Sequence, residues 1–253
     1  MTTLEPTASA PPVAKDEPIR IGPRDERVRI YVWQVPVRVT HWVTVSSIIV
    51  LTVTGGYIGN PFLVPPDTSI MATMRSLHML AAFVFVSSGI LRTYWLFAGN
   101  RFARWTAFVP TSRARARELV RQTAWYLFLR PRPPRVLGHN ALAAGTYLVV
   151  FGLLLLQAMT GFALAGMTGR EPWATLFGWM PELLGAQGVR TIHHFLMWAI
   201  LAFMVHHVYS ALLVDHWERN GLMSSIFSGF KFVTRKEIDE ARDGGIEVQE
   251  EAE

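Results

Sequence analysis

Residues 189–214, VRTIHHFLMWAILAFMVHHVYSALLV, hold two adjacent pairs of histidines inside a run that is otherwise almost wholly apolar. The run exceeds the ~20 residues that a helix needs to cross the hydrocarbon core of a bilayer. Imidazoles are costly at that depth and tend to be functional. His193 and His207 stand fourteen residues apart, which in a helix leaves them only ~40° apart around the axis and ~21 Å apart along it. One face of one helix therefore presents two imidazoles at two depths. His194 and His206 point ~100° away from that face, towards other helices or the propionates of a cofactor.

Working outward, three more apolar runs of similar length precede this one. The spans fall at about 35–58, 70–97, 140–165 and 189–214. Every backbone amide in lipid must be paired within its own segment, and a barrel would show short alternating strands instead, so the chain is predicted to be all-α, an integral membrane four-helix bundle. Composition agrees: half of the 253 residues are apolar, only 17% are charged, and mean hydropathy is positive. Residues 1–29, rich in Pro, Ala, Thr and charge and without a signal-peptide core, read as a flexible tail. Residues 30–233 form the four-helix domain, and 234–253 a C-terminal tail. The absence of cysteine excludes thiolate zinc sites, protein-bound iron–sulfur clusters, thioether-linked haem and disulfides together.

Charge placement sets the orientation. The connection between the second and third spans carries Arg101, Arg104, Arg113, Arg115, Arg117, Arg121, Arg130, Arg132 and Arg135 against a lone acidic Glu118. Basic connections stay in the cytoplasm, so this long one and both termini are expected there. The net charge of +5 then answers to a membrane face and its lipid rather than to nucleic acid. Ser112–Leu129 alternates arginines with Leu, Val, Trp and Tyr. It reads either as an interfacial helix on anionic lipid or as a solvated basic loop.

Depth supplies partners for the two imidazoles. His41 lies about one and a half turns inside the first span from the cytoplasm, the depth of His207 in the fourth; His78 lies near the outer start of the second, the depth of His193. Two imidazoles facing each other from separate helices give the axial ligation of a low-spin haem, for which a bundle core is a usual place. Arg38, Arg75 and Arg190 each stand three residues before one of these histidines, and Arg92 fourteen after His78, on faces where a guanidinium reaches a haem propionate. The competing reading is that they snorkel to headgroups. His139, in Gly138-His139-Asn140, reads as a helix start, and His216 beside Asp215 as a wet helix end. Gly145, Gly152 and Gly161 either admit a porphyrin or serve ordinary membrane packing. The tryptophans read mostly as interfacial belts.

The stretches Val35-Pro36-Val37-Arg38-Val39-Thr40-His41-Trp42, Arg92-Thr93-Tyr94-Trp95-Leu96-Phe97-Ala98-Gly99-Asn100-Arg101, Gly138-His139-Asn140, Thr160-Gly161-Phe162-Ala163 and His206-His207-Val208-Tyr209 together resemble the b-type cytochrome subunit of membrane-bound nickel–iron uptake hydrogenases. The resemblance covers Tyr31 to Phe232. It implies two b-type haems, ligated by His41, His78, His193 and His207. It further implies a hydrogenase small subunit with iron–sulfur clusters docked on the periplasmic face, the large subunit behind it, and quinone as electron acceptor in a bacterial inner membrane. Arg38, Trp42, His139 and Tyr209 are the quinone-pocket candidates. Formate dehydrogenase gamma subunits share the broader architecture, so a haem anchor for that enzyme or another periplasmic reductase is the alternative. A non-redox anchor or transporter is the distant one. The family's usual Gly-Tyr-Arg stands here as Gly229-Phe230-Lys231.

Overall fold

A computed structural model describes residues 27–61, 68–109, 113–131, 141–235 and 238 of the protein. His139 and the greater part of both tails lie outside them. Four helices are long and apolar enough to cross a membrane. They are α1 (Val35–Gly59), α2 (Thr68–Ala98), α4 (Ala141–Gly166) and α6 (Trp179–Glu218). Shorter helices α3 (Arg113–Tyr126), α5 (Trp173–Phe177) and α7 (Leu222–Ser228) flank them. The spans agree with the sequence expectation to within a few residues for the first three helices.

The fourth is interrupted. α6 reaches back to Trp179, but Gly185, at φ 71° and ψ 155°, is non-helical and divides a short leading helix from the long segment that contains the expected span. A side chain is strained in that left-handed region and glycine is not. Pro181, Gly185 and Gly188 lie in the connection that precedes the fourth apolar run, and the break at Gly185 falls within it.

An all-α architecture also misses a two-stranded ribbon. β1 (Arg27–Tyr31) pairs antiparallel with β2 (Phe230–Thr234), Arg27 opposite Thr234 and Tyr31 opposite Phe230. The tail expected at 1–29 therefore ends sooner, and Ile238, assigned to the C-terminal tail, is buried with Ile30, Val32, Trp33, Val37, Phe102, Ala103 and Val233. Gly229 enters the ribbon at φ 91°, and a Cβ there would lie 2.6 Å from Tyr31 Cε2 and 2.8 Å from the Trp33 carbonyl oxygen. The Gly229 carbonyl accepts from the amides of Val32 and Trp33 at 2.8 and 3.0 Å. The bundle thus has a ribbon end, where α1 starts and α6 finishes, and a far end.

Helix α1 packs along α2, and α4 along α6. Hydroxyls serve the first contact: Ser88 Oγ donates to the Thr40 carbonyl at 3.1 Å and meets Thr44 Oγ1 at 3.1 Å. Small and hydroxylated residues do this work in membranes because lipid offers no hydrophobic drive between helices. Leu80, Ile90, Leu155, Phe195, Trp198 and Val205 stay exposed, a pattern that suits a lipid surround and would be costly in water. The basic segment between α2 and α4 forms helix α3, which packs on α4.

Candidate functional site

Helices α1 and α6 bring His41 and His207 together at the ribbon end, with ring centroids 6.4 Å apart and ring planes at 54°. At the far end α2 and α6 bring His78 and His193 together at 6.5 Å and 65°. Two imidazole nitrogens, each about 2.0–2.1 Å from one metal and ~1.1 Å from its own ring centre, put the centroids about 6.3 Å apart. A direct N–H···N hydrogen bond would draw them to about 5 Å. Both spacings thus suit one metal ion between two rings. Among the described residues no group of three or more His, Cys, Asp or Glu is gathered for a metal. Two imidazoles suffice only where a macrocycle supplies the remaining ligands, as a porphyrin does. The residues present fit haem.

The far-end rings are held by side chains. Thr54 Oγ1 of α1 lies 2.9 Å from His78 Nδ1, and Thr160 Oγ1 of α4 lies 2.9 Å from His193 Nδ1. The next residue in each case is a glycine. A Cβ on Gly55 would lie 3.1 Å from His78 Cε1, and one on Gly161 3.1 Å from His193 Cε1. Gln157 Nε2 meets His193 Nε2 at 3.3 Å, while its Oε1 is buried without a partner among the described residues. His194 donates from Nδ1 to the Arg190 carbonyl at 2.9 Å, and its ring occupies the space that a Cβ on Gly59 would need. Gly161 therefore serves close packing of α4 on the His193 ring. Gly145 and Gly152 face open space.

The ribbon-end rings have aromatic neighbours instead. The His207 ring stacks on Phe203 at 5.5 Å and meets the Tyr147 ring at 5.9 Å. His41 meets the Trp42 ring edge at 5.2 Å, and its Nδ1 is buried with no hydrogen-bond partner among the described residues. Trp42 in turn stacks on Phe227 at 4.6 Å. Arg38 donates to the Phe227 carbonyl, and its Nε is buried without a partner among the described residues. Arg92 donates to the Ala103 carbonyl at 3.4 Å, with its guanidinium 5.5 Å from the Phe108 ring centre. Arg75 and Arg190 are exposed at the far end, one turn before His78 and His193.

A cavity of about 500 Å³ opens beside His207, lined by Tyr126, Tyr147, His206, Ser210, Glu218 and Lys231 among others. Tyr126, outside the spans, is held above the ordinary tyrosine range by burial, with the Glu218 charge adding and a hydrogen bond to Ser210 opposing. His206 Nε2 meets Ser210 Oγ at 3.4 Å. Of the residues expected at a quinone pocket, Arg38 and Trp42 stand together at the ribbon end. Tyr209 is exposed and turned ~200° around α6 from His207. His139 lies outside the described residues. Sequence reasoning did not single out Thr54, Gln157, Tyr126, Ser210 or Glu218, since each matters only through a neighbour on another element.

Comparison with known proteins places this geometry in context. Residues 32–229 match the prokaryotic cytochrome b561 family. A protein of Rhizobium leguminosarum bv. viciae named probable Ni/Fe-hydrogenase B-type cytochrome subunit is 38% identical over 221 residues, covering 84% of this chain and 92% of that one. Its namesake in Azotobacter vinelandii is 38% identical over 232 residues, covering 87% and 97%. The probable Ni/Fe-hydrogenase 1 B-type cytochrome subunit of Escherichia coli K12 is 33% identical over 220 residues, covering 82% and 92%.

Proposed function

The chain belongs to the prokaryotic cytochrome b561 family, and from that premise we propose that it carries electrons from a periplasmic nickel–iron hydrogenase through two b-type haems to membrane quinone. Membership makes it a haem-carrying electron-transport protein that crosses the bacterial inner membrane several times. The observation that carries the finer reading is the pair of one-metal gaps, 6.4 and 6.5 Å between ring centroids, at opposite ends of one bundle. Bound between those rings, two haem irons supply one-electron carriers spaced across the bilayer.

The chain's own residues do the rest. His78 and His193 hold the carrier nearest the periplasmic partner, and His41 and His207 the one nearest the cytoplasm. The small subunit, with its iron–sulfur clusters, docks at the far end, and the large subunit reaches the cytochrome only through it. Arginines between the second and third spans hold the ribbon end in the cytoplasm. Quinone reduction takes two electrons and two protons, and the partner's oxidation of hydrogen releases the same numbers on the other side. The cavity beside His207 offers proton carriers at the Tyr126 hydroxyl, the Glu218 carboxylate and the His206 ring, and its aromatic walls suit a quinone head. Arg38 and Trp42 close the neighbouring side of the same haem. The relatives' names favour hydrogenase over formate dehydrogenase as the electron donor.

Membranes carrying the intact complex test the reading. Hydrogen should reduce the b-type absorbance and then quinone, the purified chain should yield close to two haems by pyridine haemochrome, and deletion of the chain should abolish hydrogen-dependent quinone reduction while hydrogen oxidation with an artificial dye persists. A purified chain without a Soret band would end the proposal.

A further inference from the structure

Thr54 and Thr160 occupy equivalent places in two different helix pairs. Each threonine hydroxyl has already committed its hydrogen to its own helix: Thr54 Oγ1 donates to the Val50 carbonyl at 2.7 Å, and Thr160 Oγ1 to the Leu156 carbonyl at 2.9 Å. The lone pairs that remain face His78 Nδ1 and His193 Nδ1, both at 2.9 Å. An oxygen with its hydrogen spent can only accept, so each Nδ1 carries the ring's proton and each Nε2 is left with a free lone pair. Gln157 agrees on the tautomer, since its amide nitrogen, 3.3 Å from His193 Nε2, can only meet an unprotonated nitrogen, the one whose lone pair a haem iron would take in its place. Behind each threonine a glycine leaves the ring room, because a Cβ at Gly55 or Gly161 would stand 3.1 Å from the imidazole carbon. His41 has no such support, as its Nδ1 is buried and unpartnered among the described residues.

We propose that Thr54 and Thr160 are positioning residues for the far-end haem, each accepting the Nδ1–H of the adjacent imidazole so that Nε2 is turned to the iron. The inference rests on His78 and His193 being the axial ligands of that haem. A ligand that donates its second N–H is fixed in orientation and made more basic. More basic ligands favour the more highly charged iron, so the hydroxyls hold the far-end haem at a lower potential than it would otherwise have. The ribbon-end haem, whose His41 lacks this contact, is untouched by them.

The test uses the full chain, loaded with haem, in detergent or in membranes, with the variants T54V, T160V and their combination beside T54S and T160S. Valine keeps the shape of threonine and removes the acceptor. The valine variants should keep both haems by pyridine haemochrome and shift one of the two midpoint potentials upward, by up to a tenfold change in the oxidation equilibrium, ~59 mV for a one-electron couple. The second midpoint should stay in place, the low-spin ferric electron-paramagnetic signal of one haem should change, and the serine variants should restore both readouts. Loss of one haem in the valine variants and its retention in the serine variants supports the same role. Unmoved potentials with both haems in place overturn it, as does loss of haem from valine and serine variants alike. The underlying ligation fails separately, by retention of two haems in His78→Ala.

Discussion

The two imidazole pairs are alike in spacing and unlike in what stands behind the rings. At the far end both Nδ1 atoms meet threonine oxygens at 2.9 Å and both rings lie against glycines. At the ribbon end the backing is aromatic, with Phe203, Tyr147 and Trp42, and a cavity opens beside His207. Hydrogen bonds fix a ring in one orientation, whereas stacking leaves it some rotation. The far end is built to hold its rings in a set geometry, as the proposed carrier would need. The ribbon end is built with room for a second molecule.

Substitutions can break that contrast, and the largest effect belongs to the proposed ligands. His193→Ala should abolish the far-end haem and leave the ribbon-end one, and His41→Ala should do the converse, so pyridine haemochrome should fall to about half in each. Retention of both haems in either variant would reject the pairing. Next comes Gly161→Val, whose added carbons overlap the His193 ring and should destabilise the far end by about 1–3 kcal/mol. Thermal loss of Soret absorbance should then split into an early phase and a normal one, and a single unshifted transition would contradict it.

An effect of similar size is expected at the ribbon. Gly229→Ala places a carbon against Tyr31 and the Trp33 carbonyl at positive φ, at a cost on the order of 1–3 kcal/mol. Here the early phase should belong to the ribbon-end haem, distinguished by its midpoint potential. The smallest effect concerns pH. An acid whose ionisation is pushed up in the fold stays neutral where the unfolded chain already ionises. Tyr126 should therefore add no pH dependence to stability below pH 10.0, its ordinary value, and should lower stability as pH rises beyond that. The difference in near-ultraviolet phenolate titration between the native chain and Tyr126→Phe should show one tyrosine ionising late.

The spans and histidine depths were legible because both are local. Hydropathy over a helix length marks a span, and a fixed rise and turn per residue place His193 and His207 on one face at two levels. Depth matching then needs only the order of the helices. The ribbon was not legible, since Arg27–Tyr31 and Phe230–Thr234 are short and find each other across most of the chain, a separation no local pattern records. The short helix ahead of Gly185 was not legible, because Pro181, Gly185 and Gly188 mark a connection, and the break at Gly185 does fall there. Thr54 stayed hidden for another reason: a hydroxyl in a membrane helix commonly bonds its own backbone, and only the packing of α2 shows its second contact. Tyr126, Ser210 and Glu218 come from separate elements, and their meeting is a product of the fold.

Helix α6 supplies one ring to each pair, and this makes it a common rail. A single inserted residue between 193 and 207 would swing one imidazole about 100° away from the other and strand one of the two sites. The rings facing them sit on α1 and α2, each answerable to one site alone. Evolutionary adjustment of one carrier without disturbing its companion is therefore open to the first two helices and closed to the stretch of the last that links the rings.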